Sequence, residues 1–211
     1  MECENYNYFE KLPQEIKEMI FNHLILSDLL NLCSSSVCLN KAIGQSKCMQ
    51  KIWLKFYSFN LKDLQGLSES TRHFEKLKVN RISRDNHFQV LIDLEKQWKK
   101  VLINNCEFKS FNTFYELIKS MCDSIEELEI SDIVILSYEK SNQQEMLKFP
   151  WLKRLMFRNM PLKAIEIFLP SSKMLKNAAF DIVQATDDGS LSLHQIMYDI
   201  LSSTSGLKHL H

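Results

Sequence analysis

One recurring pattern constrains this chain more than any other feature. The arrangement apolar-x-x-apolar-x-apolar-x-x-apolar occurs at Phe74/Leu77/Val79/Ile82 and at Trp98/Val101/Ile103/Cys106. It returns at Ile125/Leu128/Ile130/Ile133, at Leu152/Leu155/Phe157/Met160 and at Leu175/Ala178/Phe180/Val183. A sixth copy starts at Leu207/Leu210, and successive starts are 24, 27, 27, 23 and 32 residues apart. Strict alternation at the centre of each copy predicts a short strand with its apolar side chains on one face. The intervals hold amphipathic helical stretches, clearest at Phe111, Phe114, Ile118, Met121, Cys122 and Ile125, and again at Leu193, Ile196, Met197, Ile200 and Leu201. A unit of this size cannot bury its own apolar face, so the units are expected to stack with their strands side by side in a parallel sheet. A single non-repetitive α/β domain is the alternative. The sixth copy stops at His211 before any helix or polar cap, which predicts a truncated product or a covering chain. Fraying of this segment, with the helix around Ile196 closing the core, is the other possibility.

The first sixty residues have a different period. Leu12-Pro13 opens a helical stretch, with Pro13 expected in the first turn, where its missing N–H costs nothing. Ile16, Met19, Ile20 and Leu24 then share one helical face. Ser27-Asp28 reads as the cap of a second helix carrying Leu29, Leu30 and Leu32. Val37 to Ile43 forms a third, and a last helical piece ends in Ile52-Trp53-Leu54-Lys55-Phe56. A bundle this small leaves apolar surface unpaired, so it calls for a partner.

Composition narrows the function. Apolar residues make up 45% and charged residues 25%, the balance of a globular chain and not of a disordered one. Lys plus Arg and Asp plus Glu number 26 each, so no net field favours nucleic acid or an acidic membrane. Only four Gly and four Pro argue against long flexible linkers and Gly-rich phosphate loops. No apolar run reaches the length of a membrane span, and the acidic start Met-Glu-Cys-Glu-Asn does not resemble a secretion signal. The six cysteines, Cys3, Cys33, Cys38, Cys48, Cys106 and Cys122, form no CxxC pair, so reduced thiols in the cytosol or nucleus are expected.

No catalytic constellation stands out. His23, His73, His87 and His194 are scattered. His209-x-His211 offers only two metal ligands, and Asp187-Asp188-Gly189-Ser190 lacks the spaced oxygens of a calcium loop. Cys33 and Cys38 have no neighbouring cation or histidine to lower a thiol pKa, which suggests structural burial. Neither a metal nor another cofactor is expected.

The run Leu12-Pro13-x-Glu15-Ile16-x-x-x-Ile20-Phe21-x-x-Leu24, followed by Asp28-Leu29-Leu30-x-Leu32, Val37-Cys38 and Trp53, resembles the F-box motif in order and spacing. The strand–helix units resemble degenerate leucine-rich repeats. In those repeats the last patterned position is usually Asn or Cys. Here only Cys106 complies, whereas Ile82, Ile133, Met160 and Val183 depart, which puts regular turn geometry in question. Together the resemblances imply an α+β chain: a three-helix F-box at 9–56, a connection at 57–73 and an α/β solenoid with a parallel concave sheet at 74–211. They imply a non-catalytic substrate receptor of an SCF-type cullin–RING ubiquitin ligase. Its F-box would bind a Skp-type adaptor, and its repeats an unidentified protein substrate. A scaffold with no ligase role is the alternative.

The implied adaptor-facing residues are Leu12, Pro13, Ile16, Ile20, Leu24, Leu29 and Leu32, with Val37 and Trp53 shared between packing and interface. On the strands, charge comes in blocks. Glu75, Lys76 and Lys78 precede Lys99, Lys100 and Leu102; Glu126, Glu127, Glu129 and Asp132 follow; then Lys153, Arg154, Met156 and Arg158. An acidic stripe between basic ones can read a partner of matching pattern. That reading selects Lys99, Lys100, Glu126, Glu127, Glu129, Lys153, Arg154 and Met156 as substrate contacts. Pairing between strands about 4.8 Å apart is the alternative.

Overall fold

The structure, a computed structural model, describes residues 8–9, 11–57, 70, 72–94, 96–138, 147–168, 174–183 and 209–210. It divides into two compact units, Met1–Trp53 with Ser70–Glu75, and Leu54–Glu69 with Lys76–His211. The fold is mixed α/β, with helices at the N-terminal end and a parallel sheet beyond them. Most of the connection expected at 57–73 and the helix expected around Leu193–Leu201 lie outside the described residues, as do Asp187–Ser190 and His211.

The first unit is built on short helices. Helix α1, Gln14–His23, starts after Pro13, which occupies the capping position itself, one residue earlier than expected. The chain then runs extended through Leu24 and Ile25, and α2 spans Leu26–Ser35. Ser27-Asp28 is therefore not the cap. Both residues sit inside the first turn, where the Asp28 carboxylate complements the helix dipole. The hydroxyls of Ser34 and Ser35 donate to the Leu30 and Leu32 carbonyls, and α2 ends there. Ser36 caps the next helix, α3 (Val37–Gly44), by accepting the Leu39 N–H at 3.4 Å.

A 3₁₀ turn, Lys47–Lys51, follows, and its start is tied back to α1 by one carboxylate. Glu18 accepts the Ser46 hydroxyl at 2.7 Å and the Lys47 N–H at 3.1 and 3.2 Å on its two oxygens. Arg72 closes the unit by donating to Asn40 Oδ1. The last helical piece expected at Ile52–Phe56 is instead strand β1, Trp53–Phe56. Bulky and aromatic residues there favour an extended backbone.

The second unit carries β2 (Lys76–Asn80), β3 (Lys100–Asn104), β5 (Glu127–Ser131), β7 (Arg154–Pro161), β8 (Asn177–Val183) and β9 (His209–Leu210). These pair in parallel in sequence order, and β1 lies beside β2 in the same seven-stranded sheet. A second parallel pair, β4 (Glu107–Phe108) with β6 (Val134–Ile135), was not foreseen. Helices α4 (Asp85–Asp93), α5 (Phe111–Lys119) and α6 (Leu162–Ile165) lie between strands. Ser110 caps α5 by accepting the Thr113 N–H. That helix is shorter than its apolar pattern suggests. Met121, Cys122 and Ile125 are buried from the turn after it.

The alternating strand positions make the core. Leu77, Val79, Val101, Ile103, Leu128, Ile130, Leu155 and Phe157 are all buried. A line of aromatic rings runs through it. Phe88 stacks on Phe108 at 4.2 Å, Phe108 meets Phe114 at 5.2 Å, Phe114 meets Phe168 at 6.4 Å, and Phe168 meets Phe157 at 4.9 Å. Such pairs add about 0.5–1.5 kcal/mol each beyond the area they bury.

The same backbone turn recurs after four of these strands although the consensus residue stands at only one of them, Cys106. Ile82, Cys106, Ile133 and Met160 are all buried at the fourth patterned position. Immediately before each stands a residue of positive φ: Arg81 (56°), Asn105 (51°), Asp132 (52°) and Asn159 (50°). The N–H of Arg81 donates to the Asn104 carbonyl, that of Asn105 to Ser131, and that of Asp132 to Arg158. These three turns are thus held by the backbone of the next strand. Asn and Asp tolerate the left-handed conformation, which leaves Arg81 as the costly member, at roughly 1–2 kcal/mol.

Candidate protein-docking faces

Two surfaces are built from residues singled out in the sequence. The first belongs to the helical unit. Val37 is 87% exposed at the start of α3, Met19 is 60% exposed and Ile16 41% exposed on α1. Pro13 is exposed, while Leu12, Ile20, Leu24, Leu32 and Trp53 are half-buried. Leu29 does not belong with them. At 4% exposure it is a core side chain of α2, alongside Phe21 of α1 and Ile43 of α3.

Its neighbour Leu30 is exposed instead, as are Ile25 and Leu26. The spacing separates these faces but does not say which of them is covered. Within α2, residues 26 and 30 share one face at i, i+4, while 29, 32 and 33 lie on another. Solvent exposure of this many large apolar side chains on three short helices is what a docking surface looks like before it is covered.

The second surface is the face of the parallel sheet opposite the core. In register, Lys76, Lys100, Glu127, Arg154 and Asn177 form one row across β2, β3, β5, β7 and β8. Lys78, Leu102, Glu129, Met156 and Ala179 form the next. Within this face the acidic stripe meets its basic neighbours. Lys100 pairs with Glu127 at 2.5 Å, Lys153 with Glu126 at 2.5 Å, and Arg158 approaches Glu129 at 4.0 Å. All three glutamates are therefore answered from an adjacent strand or the turn leading into it.

Internal pairing thus accounts for the alternating blocks of charge, and the partner reading loses that argument. Of the remaining substrate candidates, Lys99 is exposed before β3, and Arg154 is exposed and donates to the Met156 sulfur. Leu102, Met156 and Ala179 make an adjoining half-buried stretch of the second row that needs no counter-charge.

Other chemistry is sparse. Among the described residues no three His, Cys, Asp or Glu side chains cluster so as to hold a metal ion. Among the described residues five cysteines lie outside any disulfide. Burial pushes Cys106 up to about 11 and also raises Cys48 and Cys122, which opposes thiolate chemistry there. Cys38 is exposed and Cys33 half-buried, contrary to the burial expected of both. His87 is the buried histidine of α4, and its pKa is lowered by burial and by Arg84. Among the described residues no helix is long and apolar enough to cross a membrane. No family model matches the chain, and no curated protein matches its sequence.

Proposed function

We propose that the chain is an F-box protein with degenerate leucine-rich repeats, acting as the substrate receptor of an SCF-type ubiquitin ligase. The helical unit docks on a Skp-type adaptor and through it on a cullin and a RING protein. The strand–helix units hold a protein substrate, and the chain itself performs no chemistry and uses no cofactor. The reading places it in the cytosol or nucleus. The observation that carries it is the exposure of Pro13, Ile16, Met19, Leu30 and Val37 at or beside the positions that match the F-box motif. Leu12, Ile20, Leu24 and Leu32, each half-buried, complete the adaptor face, and Leu29 supports it from beneath.

For the substrate, the rows of the open sheet face support contact through Leu102 and Met156, bordered by Lys99 and Arg154. The paired glutamates set the shape of that face and do not reach for a partner. Co-purification from cells tests the reading. Replacing Leu12 and Pro13 together by Ala removes two apolar anchors worth about 2 kcal/mol each, so adaptor recovery should fall by orders of magnitude with the melting temperature unchanged. Undiminished recovery of the adaptor with the double variant, or no adaptor with the unaltered chain, would overturn it. Adaptor without cullin or ubiquitin turnover would instead establish the non-ligase scaffold.

A further inference from the structure

The second unit contains a cavity of about 500 Å³ that adjoins the sheet's open face at Lys99 and Glu126. It opens where the chain leads into β3, β5 and β7, at the opposite end of these strands from the left-handed turns. That volume lies in the range of about 300–1,000 Å³ typical of small-ligand sites. We propose that this cavity binds a cationic side chain, an arginine by preference, presented by a protein partner.

Three properties of the lining carry the proposal. Trp151, 56% exposed, offers an indole surface to the cavity, and an aromatic face in solvent is the standard platform for a guanidinium. The Asp123 carboxylate lies at the same cavity, and among the described residues no cation stands within ion-pair distance of it; it accepts from the Cys122 thiol at 3.9 Å. The two hydroxyls present are acceptors. Ser120 commits its proton to the Leu117 carbonyl at 2.8 Å, and Ser124 commits its proton to the Trp98 carbonyl at 3.0 Å. Their remaining lone pairs suit a ligand rich in N–H donors and poor in acceptors, which describes guanidinium.

The cavity also contains cations. Lys96 and Lys99 line it, while Glu126 is already paired with Lys153. These lysines make the opposite preference, for an acidic side chain, the direct competitor in any test.

The proposal does not depend on the ubiquitin-ligase reading, and its test needs no adaptor. N-acetyl-arginine amide, N-acetyl-lysine amide and N-acetyl-glutamate amide are titrated into the ¹⁵N-labelled chain. The indole signal of Trp151, assigned with Trp151→Phe, is followed. The arginine probe should shift that signal saturably in the millimolar range, the lysine probe less, and the glutamate probe not at all. Asp123→Asn should weaken the arginine response about tenfold with an unchanged melting temperature. A stronger response to the glutamate probe would overturn the proposal in favour of an anion site at Lys96 and Lys99. An unchanged arginine response in Asp123→Asn, or no saturable shift with any probe, would overturn it outright.

Discussion

In the helical unit Ile16, Met19, Leu30 and Val37 stand in solvent, whereas in the sheet unit every alternating apolar position from Leu77 to Phe157 is buried. The two regions have much the same raw material. Each is made of short elements with one apolar side. They differ in what covers that side. In the sheet unit each strand is flanked by the next, and the helices and rings of Phe88, Phe114 and Phe168 close the far face. The helical unit has three short helices and one carboxylate clasp, which is too little to enclose its own side chains. Charge follows the same division. The sheet answers its glutamates internally, so its charged rows are poor indicators of a partner. The helical unit leaves apolar surface unanswered, and that is the better indicator.

The comparison can be broken where it predicts the largest asymmetry. Phe114→Ala removes a fully buried ring from the centre of the aromatic line and should cost about 3–5 kcal/mol. Val37→Ala, at an exposed position of similar apolar character, should stay within about 0.5 kcal/mol in the same denaturant titration. Equal costs would mean that the exposed face is part of a core after all.

A smaller effect sharpens the account of the helical unit. Glu18→Ala strips the Ser46 hydroxyl and the Lys47 N–H of their acceptor and should destabilise that unit by about 1.5–3 kcal/mol. Hydrogen exchange should then speed up in α1 and the Lys47–Lys51 turn, with the strands unaffected. Uniform acceleration across the chain would show that the two units melt as one.

The smallest effect concerns the sheet's charges. Glu127→Lys places a like charge against Lys100, while the swapped pair Lys100→Glu with Glu127→Lys restores an attraction. Each change should be worth about 1 kcal/mol or less at these partly exposed positions. Recovery of the melting temperature in the swap is expected. If the swap is no better than Glu127→Lys alone, the pair is not coupled and the charge blocks again need another explanation.

How far the sequence reaches differs between the same two regions. The strands were legible because alternation at intervals of 23 to 27 residues cannot be satisfied by a helix, and the side chains so marked are the buried ones. The regular turn was not. Arg81, Asn105, Asp132 and Asn159 adopt one backbone conformation, which the next strand's carbonyls secure at the first three; three of the four are Asn or Asp, a signal the apolar pattern does not include. The short β4–β6 pair has only two residues per strand and falls below any periodicity. On the docking face, Leu29 is buried and Leu30 exposed because they lie about 100° apart on α2, and which side is covered is set by packing within the unit, not by the helix's own spacing. The glutamate pairs needed the strand register, which sets Glu127 beside Lys100 and cannot be read from a single strand. The cavity at Trp151 draws on three separate loops, and proximity between loops is invisible to local pattern.

Amide hydrogen exchange of the chain alone and with a purified Skp-type adaptor tests the central division most directly. The account predicts added protection in α1, α2 and the start of α3, from Leu12 to about Val37, with exchange in β2, β3, β5 and β7 unchanged. Protection centred on the strands instead, or no protection anywhere at saturating adaptor, would contradict it.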